Sequence, residues 1–165
     1  MRAFLRRRLV DPLLAQLTQG VSPAKLALTL ALGVGLGIFP VLGTTTLLCA
    51  AAGVLLRLNQ PAIQVANYFA YPLQVALYLP FFQLGAWLFG EPALGLSLDQ
   101  IRAELSADTW GTVVRYAGAN LRATAAWLLV APPAILLVRL AARPLLARLP
   151  LPADEAPERD GTASA

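Results

Sequence analysis

The chain has 165 residues and a formal net charge of +4, with 58% hydrophobic and only 13% charged side chains, about half the charged share of an ordinary soluble domain. The charges are segregated as well: from Pro12 to Gly90 only Lys25 and Arg57 carry one, and no acid occurs. Two charges cannot clothe the surface of a soluble domain over such a stretch, so the composition excludes that class and predicts an integral membrane protein.

Residues 1–24 begin like a signal peptide, but Asp11 and Pro12 interrupt the apolar stretch and no clean small-residue cleavage site follows. Arg6, Arg7 and Arg8 beside Phe4, Leu5, Leu9 and Leu13 suit a short helix on an anionic membrane surface. A cytoplasmic tail whose arginines only fix orientation is the alternative.

Leu26–Leu56 is a run of thirty-one residues without charge, divided by Pro40. The two pieces would be helices of roughly 21 and 24 Å, short of the ~30 Å hydrocarbon core. Pro40 has no amide to donate and pushes Phe39 out of helical geometry, and Gly43 allows a tight reversal. The hydroxyls of Thr44, Thr45 and Thr46 can bond the backbone groups that such a break frees. The expectation is a re-entrant helical hairpin whose structural turn is carried by Gly37, Pro40, Gly43, Thr44 and Thr45. One Pro-kinked span, or two short tilted spans, are the alternatives. Gly33, Gly35 and Gly37 lack the lysine and the strand–helix context of a phosphate loop, whereas Gly33 and Gly37 have the G-x-x-x-G spacing of close helix packing.

The second long run, 58–90, carries Gln60, Gln64, Asn67, Tyr71, Gln74 and Tyr78 at spacings of 4, 3, 4, 3 and 4, one helical face. Amides on lipid would be costly, so the stripe should face other helices or a polar cavity. It reads either as hydrogen-bonding glue between helices or as a polar path for a substrate. Pro72 and Pro80 free the carbonyls of Tyr68 and Ala76, so the stripe continues across a kink or the helix breaks near Tyr71.

From Glu91 to Arg122 the chain turns polar and suits an outer loop (91–122) with a short interfacial helix at Ser97–Leu105, where Ser97 and Gln100 have capping-box spacing. The last transmembrane helix is expected over 116–138, bent by Pro132 and Pro133, within a membrane domain of 25–148. The tail, 149–165, is rich in Pro and Ala and is expected to be disordered. Arginine and lysine flank the first and last runs, which puts both termini in the cytoplasm.

The chain has no histidine and one cysteine, Cys49, which removes imidazole and thiolate metal sites and the usual nucleophile pairs. No acid lies in the two long runs. We therefore expect no catalysis, no cofactor and no metal, and membrane lipid rather than nucleic acid as the partner of the net positive charge. Three short segments make a thin bundle, so a homo-oligomer is a further expectation.

Residues 22–90 carry G-x-F-P-x-x-G (Gly37 to Gly43), R-x-N (Arg57 to Asn59), Y-P (Tyr71–Pro72) and P-x-x-x-L-G (Pro80 to Gly85) in this order. By these motifs the stretch resembles the bacterial membrane family called domain of unknown function 2062. Tyr71 stands where many members carry Asn. The resemblance implies a bacterial cytoplasmic membrane protein, and some members are joined to glycosyltransferase-like domains, which implies work on envelope lipid or glycan. The broken-helix design is similar, by analogy, to that of DedA-type lipid transporters. The resulting expectation is an all-α membrane bundle that binds or translocates a lipid-linked or amphipathic substrate through Arg57, Asn59, Gln64, Asn67, Tyr71 and Gln74. A structural or assembly subunit without transport activity is the competing class.

Overall fold

The computed structural model describes residues 22–92 and 97–148. The basic segment expected over 1–24 lies outside them except for Ser22–Ala24, and the tail expected over 149–165 lies outside them entirely. Among the described residues the fold is all-α, with five helices: α1 (Pro23–Gly37), α2 (Thr45–Leu55), α3 (Gln60–Phe89), α4 (Leu98–Ala107) and α5 (Thr109–Leu146).

The ends of α1 follow from local chemistry. Ser22 caps the start, its hydroxyl accepting from the Lys25 amide at 3.3 Å, and Pro23 occupies the first turn, where its missing amide costs nothing. The helix stops just before Pro40, whose ring is almost completely buried. In the turn that follows, Thr44 Oγ1 donates to the Val41 carbonyl at 2.8 Å, and Gly43 adopts φ +84°, which a side chain would strain. The chain then reverses. In α2, Cys49 Sγ lies 4.0 Å from the Gly33 carbonyl, and Leu58, beyond the end of α2, packs in a cluster with Leu28 and Leu32 of α1.

At the end of α2 the Leu58 amide bonds the Gly53 carbonyl (2.8 Å) and the Arg57 amide bonds the Val54 carbonyl (3.2 Å). This is the Schellman arrangement, which needs a left-handed residue and normally takes glycine. Here that residue is Arg57, at φ +51°. The same pattern closes α3 with Gly90 at φ +65°, the Glu91 amide bonding Ala86. Asn59 then starts α3, its side chain accepting from the Ala62 amide at 2.9 Å.

Two helices, α3 and α5, are long and apolar enough to cross a bilayer. At 1.5 Å per residue α3 is about 45 Å and α5 about 57 Å long, against about 22 and 16 Å for α1 and α2. The last helix outruns the apolar stretch at 116–138 in both directions and takes in much of the expected outer loop, because Asp108 caps it by accepting from the Gly111 amide at 3.0 Å. Ser97 stands at the N-cap of α4, but its side chain makes no capping bond. Pro72 and Pro80 lie inside α3 without ending it, as do Pro132, Pro133 and Pro144 in α5.

Helix α1 is wedged between α3 and α5. A Cβ on Gly33 would fall 2.7 Å from the Ile63 carbonyl, and one on Gly37 would fall 2.9 Å from Ala70 Cβ. The G-x-x-x-G pair thus meets the small residues Ala66 and Ala70 of α3, the close backbone approach expected of such spacing. On its other side, α1 receives a hydrogen bond from Trp127 Nε1 of α5 to the Gly35 carbonyl (3.0 Å), and the Trp127 ring stands edge-on to Phe39 at 4.9 Å.

Gly85 lies against Arg122–Ala123 at one end of the α3–α5 pair, and Ala62 clusters with Leu26 and Leu146 near the other. That antiparallel register places Pro132–Pro133 level with Pro72–Gln74, and both level with the turn at Phe39–Pro40. Three interruptions of helical hydrogen bonding therefore lie at one height. Gln74 is the fifteenth of the thirty residues of α3, so the hairpin tip reaches half-way along that helix.

Candidate functional site at the hairpin tip

The polar face of α3 is used mainly on the hairpin. Gln60 Nε2 donates to the Ala50 carbonyl (3.0 Å) and Gln64 Nε2 to the Thr46 carbonyl (3.1 Å). Asn67 Nδ2 reaches both Thr46 Oγ1 (3.4 Å) and Gln64 Oε1 (3.3 Å). Gln74, 2% exposed, donates to the Phe39 carbonyl at 2.8 Å, the carbonyl of the residue before Pro40. Apart from the Asn67–Gln64 bond within α3, each rung ties α3 to backbone or hydroxyl of α2 or of the turn. The stripe is in the first place a ladder that holds the hairpin against α3, and its strongest rung satisfies a carbonyl that the proline break leaves without a helical partner.

The stripe is not uniform along its length. Tyr71 is 57% exposed, and Tyr78 packs its ring on Phe82 at 4.9 Å. The residues expected to form one substrate surface fall into two places. Arg57 and Asn59 stand at the α2–α3 connection, where Arg57 is exposed and Asn59 caps a helix. Gln64, Asn67, Tyr71 and Gln74 stand nearer the other end of α2, eleven residues or about 16 Å of helix away from Arg57 at Thr46.

At the tip, the hairpin and α3 enclose a cavity of about 160 Å³, floored by Gly43 and walled by Thr45, Thr46, Asn67, Tyr68, Tyr71 and Gln74. On the other flank of α3, an apolar groove of about 420 Å³ runs between α1 and α3 beside Leu30, Val34, Val65, Phe69 and Leu73. The cavity has hydrogen-bonding capacity that the ladder leaves over. Among the described residues, no protein partner meets the hydroxyls of Thr45, Tyr68 and Tyr71, or the Gln74 Oε1 atom. No charged residue lines it.

Thr45 and Tyr68 lie outside the set that the sequence points to for substrate contact. Thr45 reads there as part of the turn, and Tyr68 falls off the 4-3-4 spacing, one position from the Asn67 face. Only the position of the turn relative to α3, a tertiary fact, brings them together. Trp127 was equally silent, since nothing local marks which carbonyl its indole will meet.

No group of three or more His, Cys, Asp or Glu side chains able to hold a metal occurs among the described residues. Neither curated proteins nor solved structures yield a match to the chain. One family does match, and over far more than the motif-bearing part: residues 2–149, the whole helical region and the basic segment before it. The chain belongs to the family described as an uncharacterized protein conserved in bacteria, DUF2062.

Proposed function

We propose that the protein is a non-enzymatic, multi-pass protein of the bacterial cytoplasmic membrane, in which α3 and α5 cross and the α1–α2 hairpin enters and returns. Both termini are then cytoplasmic, and the protein binds or moves an amphipathic lipid whose polar part sits at the hairpin tip. The observation that carries this reading is the cavity at half the height of α3, with unspent hydrogen-bonding groups at a depth where lipid tails offer none. Hydrogen-bonding groups left over at that depth are retained where something polar visits. The proline breaks at one height in all three segments supply places where the bundle can flex during passage.

A second reading, a structural or assembly subunit, is favoured by the ladder itself, since Gln60, Gln64, Asn67 and Gln74 all have structural partners. Two measurements separate the possibilities. In a Cys49→Ala background, cysteines placed at Leu26 and Leu56 are labelled with an impermeant thiol reagent from each side of the membrane. Labelling from the same side supports the re-entrant hairpin, and labelling from opposite sides refutes it. Mass spectrometry of lipid co-purifying in mild detergent then tests binding: a stoichiometric lipid supports it, and recovery of only bulk lipid in bulk proportions favours the structural subunit.

A further inference from the structure

The hairpin tip is also the start of α2, and that helix end is left uncapped. Thr44 stands at the N-cap without bonding any amide of the first turn; its hydroxyl turns back to the Val41 carbonyl instead. The first amide of the helix to find a partner is that of Leu48, on the Thr44 carbonyl at 3.0 Å. Those of Thr45, Thr46 and Leu47 meet none among the described residues. No acid stands in this first turn, and none occurs anywhere from Pro12 to Gly90. A helix start of this kind carries a partial positive charge with its N–H groups outward, the arrangement that takes anions.

A second observation comes from the side chains. Thr45, 8% exposed, lies on the cavity wall, and its hydroxyl meets no group of the protein among the described residues. That oxygen is not sealed within the packing either, so it opens on the cavity. On the α3 wall, Gln74 is 2% exposed and gives one of its two Nε2 hydrogens to the Phe39 carbonyl, which leaves the other to donate. The surplus here is one of donors: backbone N–H groups, a hydroxyl and an amide hydrogen, against the free Gln74 Oε1 atom. An ionised phosphate only accepts, and backbone N–H groups at a helix start hold one without a neighbouring cation. Broken helices of membrane transporters present their N-terminal ends to anionic groups in the same way.

We infer that the start of α2, with Thr45 and Gln74, binds a phosphate group, carried by an anionic lipid headgroup or free in solution. The inference rests on the lipid-binding reading above and names the group that sits at the tip. The cavity volume, about 160 Å³ against a water's share of about 30 Å³, admits the five atoms of a phosphate. Arg57 takes no part in this site: it stands at the other end of α2.

The test uses the full chain in dodecyl maltoside, a detergent without phosphate. Native mass spectrometry counts retained dioleoylphosphatidylglycerol and, separately, dioleoylglycerol, which has the same acyl chains and no phosphate. Melting curves compare inorganic phosphate with chloride at equal ionic strength. Wild type should retain the phospholipid several-fold over dioleoylglycerol. Thr45→Asp sets a carboxylate among the free amides and should lower that retention about tenfold, while melting no lower than the uncharged Thr45→Asn, which should keep most of it. Thr45→Val, which removes only the hydroxyl, should lower it a few-fold, and Arg57→Ala should leave it intact. Retention of dioleoylglycerol equal to that of the phospholipid overturns the inference while leaving a lipid-binding protein. So does unchanged phospholipid retention in Thr45→Val, or its loss in Arg57→Ala but not in Thr45→Asp. Phospholipid retained without any response to inorganic phosphate supports the inference with a lipid as the source. A melting temperature raised by inorganic phosphate in wild type and not in Thr45→Asp, with no lipid retained, supports the anion site and overturns the lipid-binding reading. Neither lipid retained and no response to phosphate overturns both.

Discussion

Replacing Gln74 by leucine tests how the hairpin is held. The substitution keeps nearly the same volume and removes the 2.8 Å bond to the Phe39 carbonyl. That carbonyl precedes the buried Pro40 at the end of α1, and the Phe39 ring stands edge-on to Trp127. Gln74 is itself almost completely buried, so the cost is that of stranding a buried acceptor, about 1–3 kcal/mol. Gln64→Leu removes a bond to the Thr46 carbonyl at an exposed position where substitutes are available, and one acceptor of Asn67 Nδ2, which keeps its bond to Thr46 Oγ1. It should cost no more than the ~0.6 kcal/mol average of interhelical hydrogen bonds in membrane proteins. The difference, about 0.4–2.4 kcal/mol, is roughly a twofold to sixtyfold change in the unfolding equilibrium. It can be read from unfolding curves in mixed micelles of rising dodecyl sulfate fraction, followed by circular dichroism. Equal destabilisation by the two variants would refute the special place given to the Phe39 carbonyl, and a stabilised Gln74→Leu protein would mean that the glutamine is held at a cost for the sake of the cavity.

Gly33→Ala should destabilise the bundle by about 1–3 kcal/mol in the same assay, because the new methyl meets the Ile63 backbone as well as Ala66, and backbone cannot turn aside. Arg57→Gly relieves a side chain held at φ +51° and should raise stability by about 1 kcal/mol, while Arg57→Lys should not. If the arginine is kept for an anionic interface, the glycine variant will also partition less strongly onto vesicles rich in phosphatidylglycerol. Trp127→Phe keeps an aromatic ring edge-on to Phe39 but loses the bond to the Gly35 carbonyl, at an expected cost of about 1 kcal/mol in melting experiments.

What the sequence made legible was the order along the chain. Pro40 and Gly43 marked the turn, Gly33 and Gly37 marked a close helix approach, and the 4-3-4 spacing marked a polar face, since each is a local constraint on backbone or on one helix. The partners of that face were not legible. A repeat of amides states that something polar must be opposite; it does not state that the opposing groups are carbonyls of the preceding helix. Arg57 was equally opaque, because a left-handed residue is readable from sequence when it is glycine and unreadable when it is arginine. The length of α5 was underestimated for a related reason. Hydropathy ends with the apolar run, whereas helical hydrogen bonding continues through Arg115 and Arg122 to the Asp108 cap.

The half-height hairpin has a consequence for shape. Among the described residues, four helical segments stand abreast on the side of Pro23: α1, α2 and the facing halves of α3 and α5. The other side holds the remaining halves of α3 and α5, with α4 at their end. At on the order of 100 Å² per helix, the cross-section of these segments falls from about 400 to about 200 Å² along the bundle. A body of that outline is a wedge, broad in the cytoplasmic leaflet if the termini lie there. If α3 and α5 cross a bilayer and the hairpin enters it, many copies would bend the membrane toward the narrow face or gather where it is already bent, a preference for curvature set by the same short helices that carry the polar cavity.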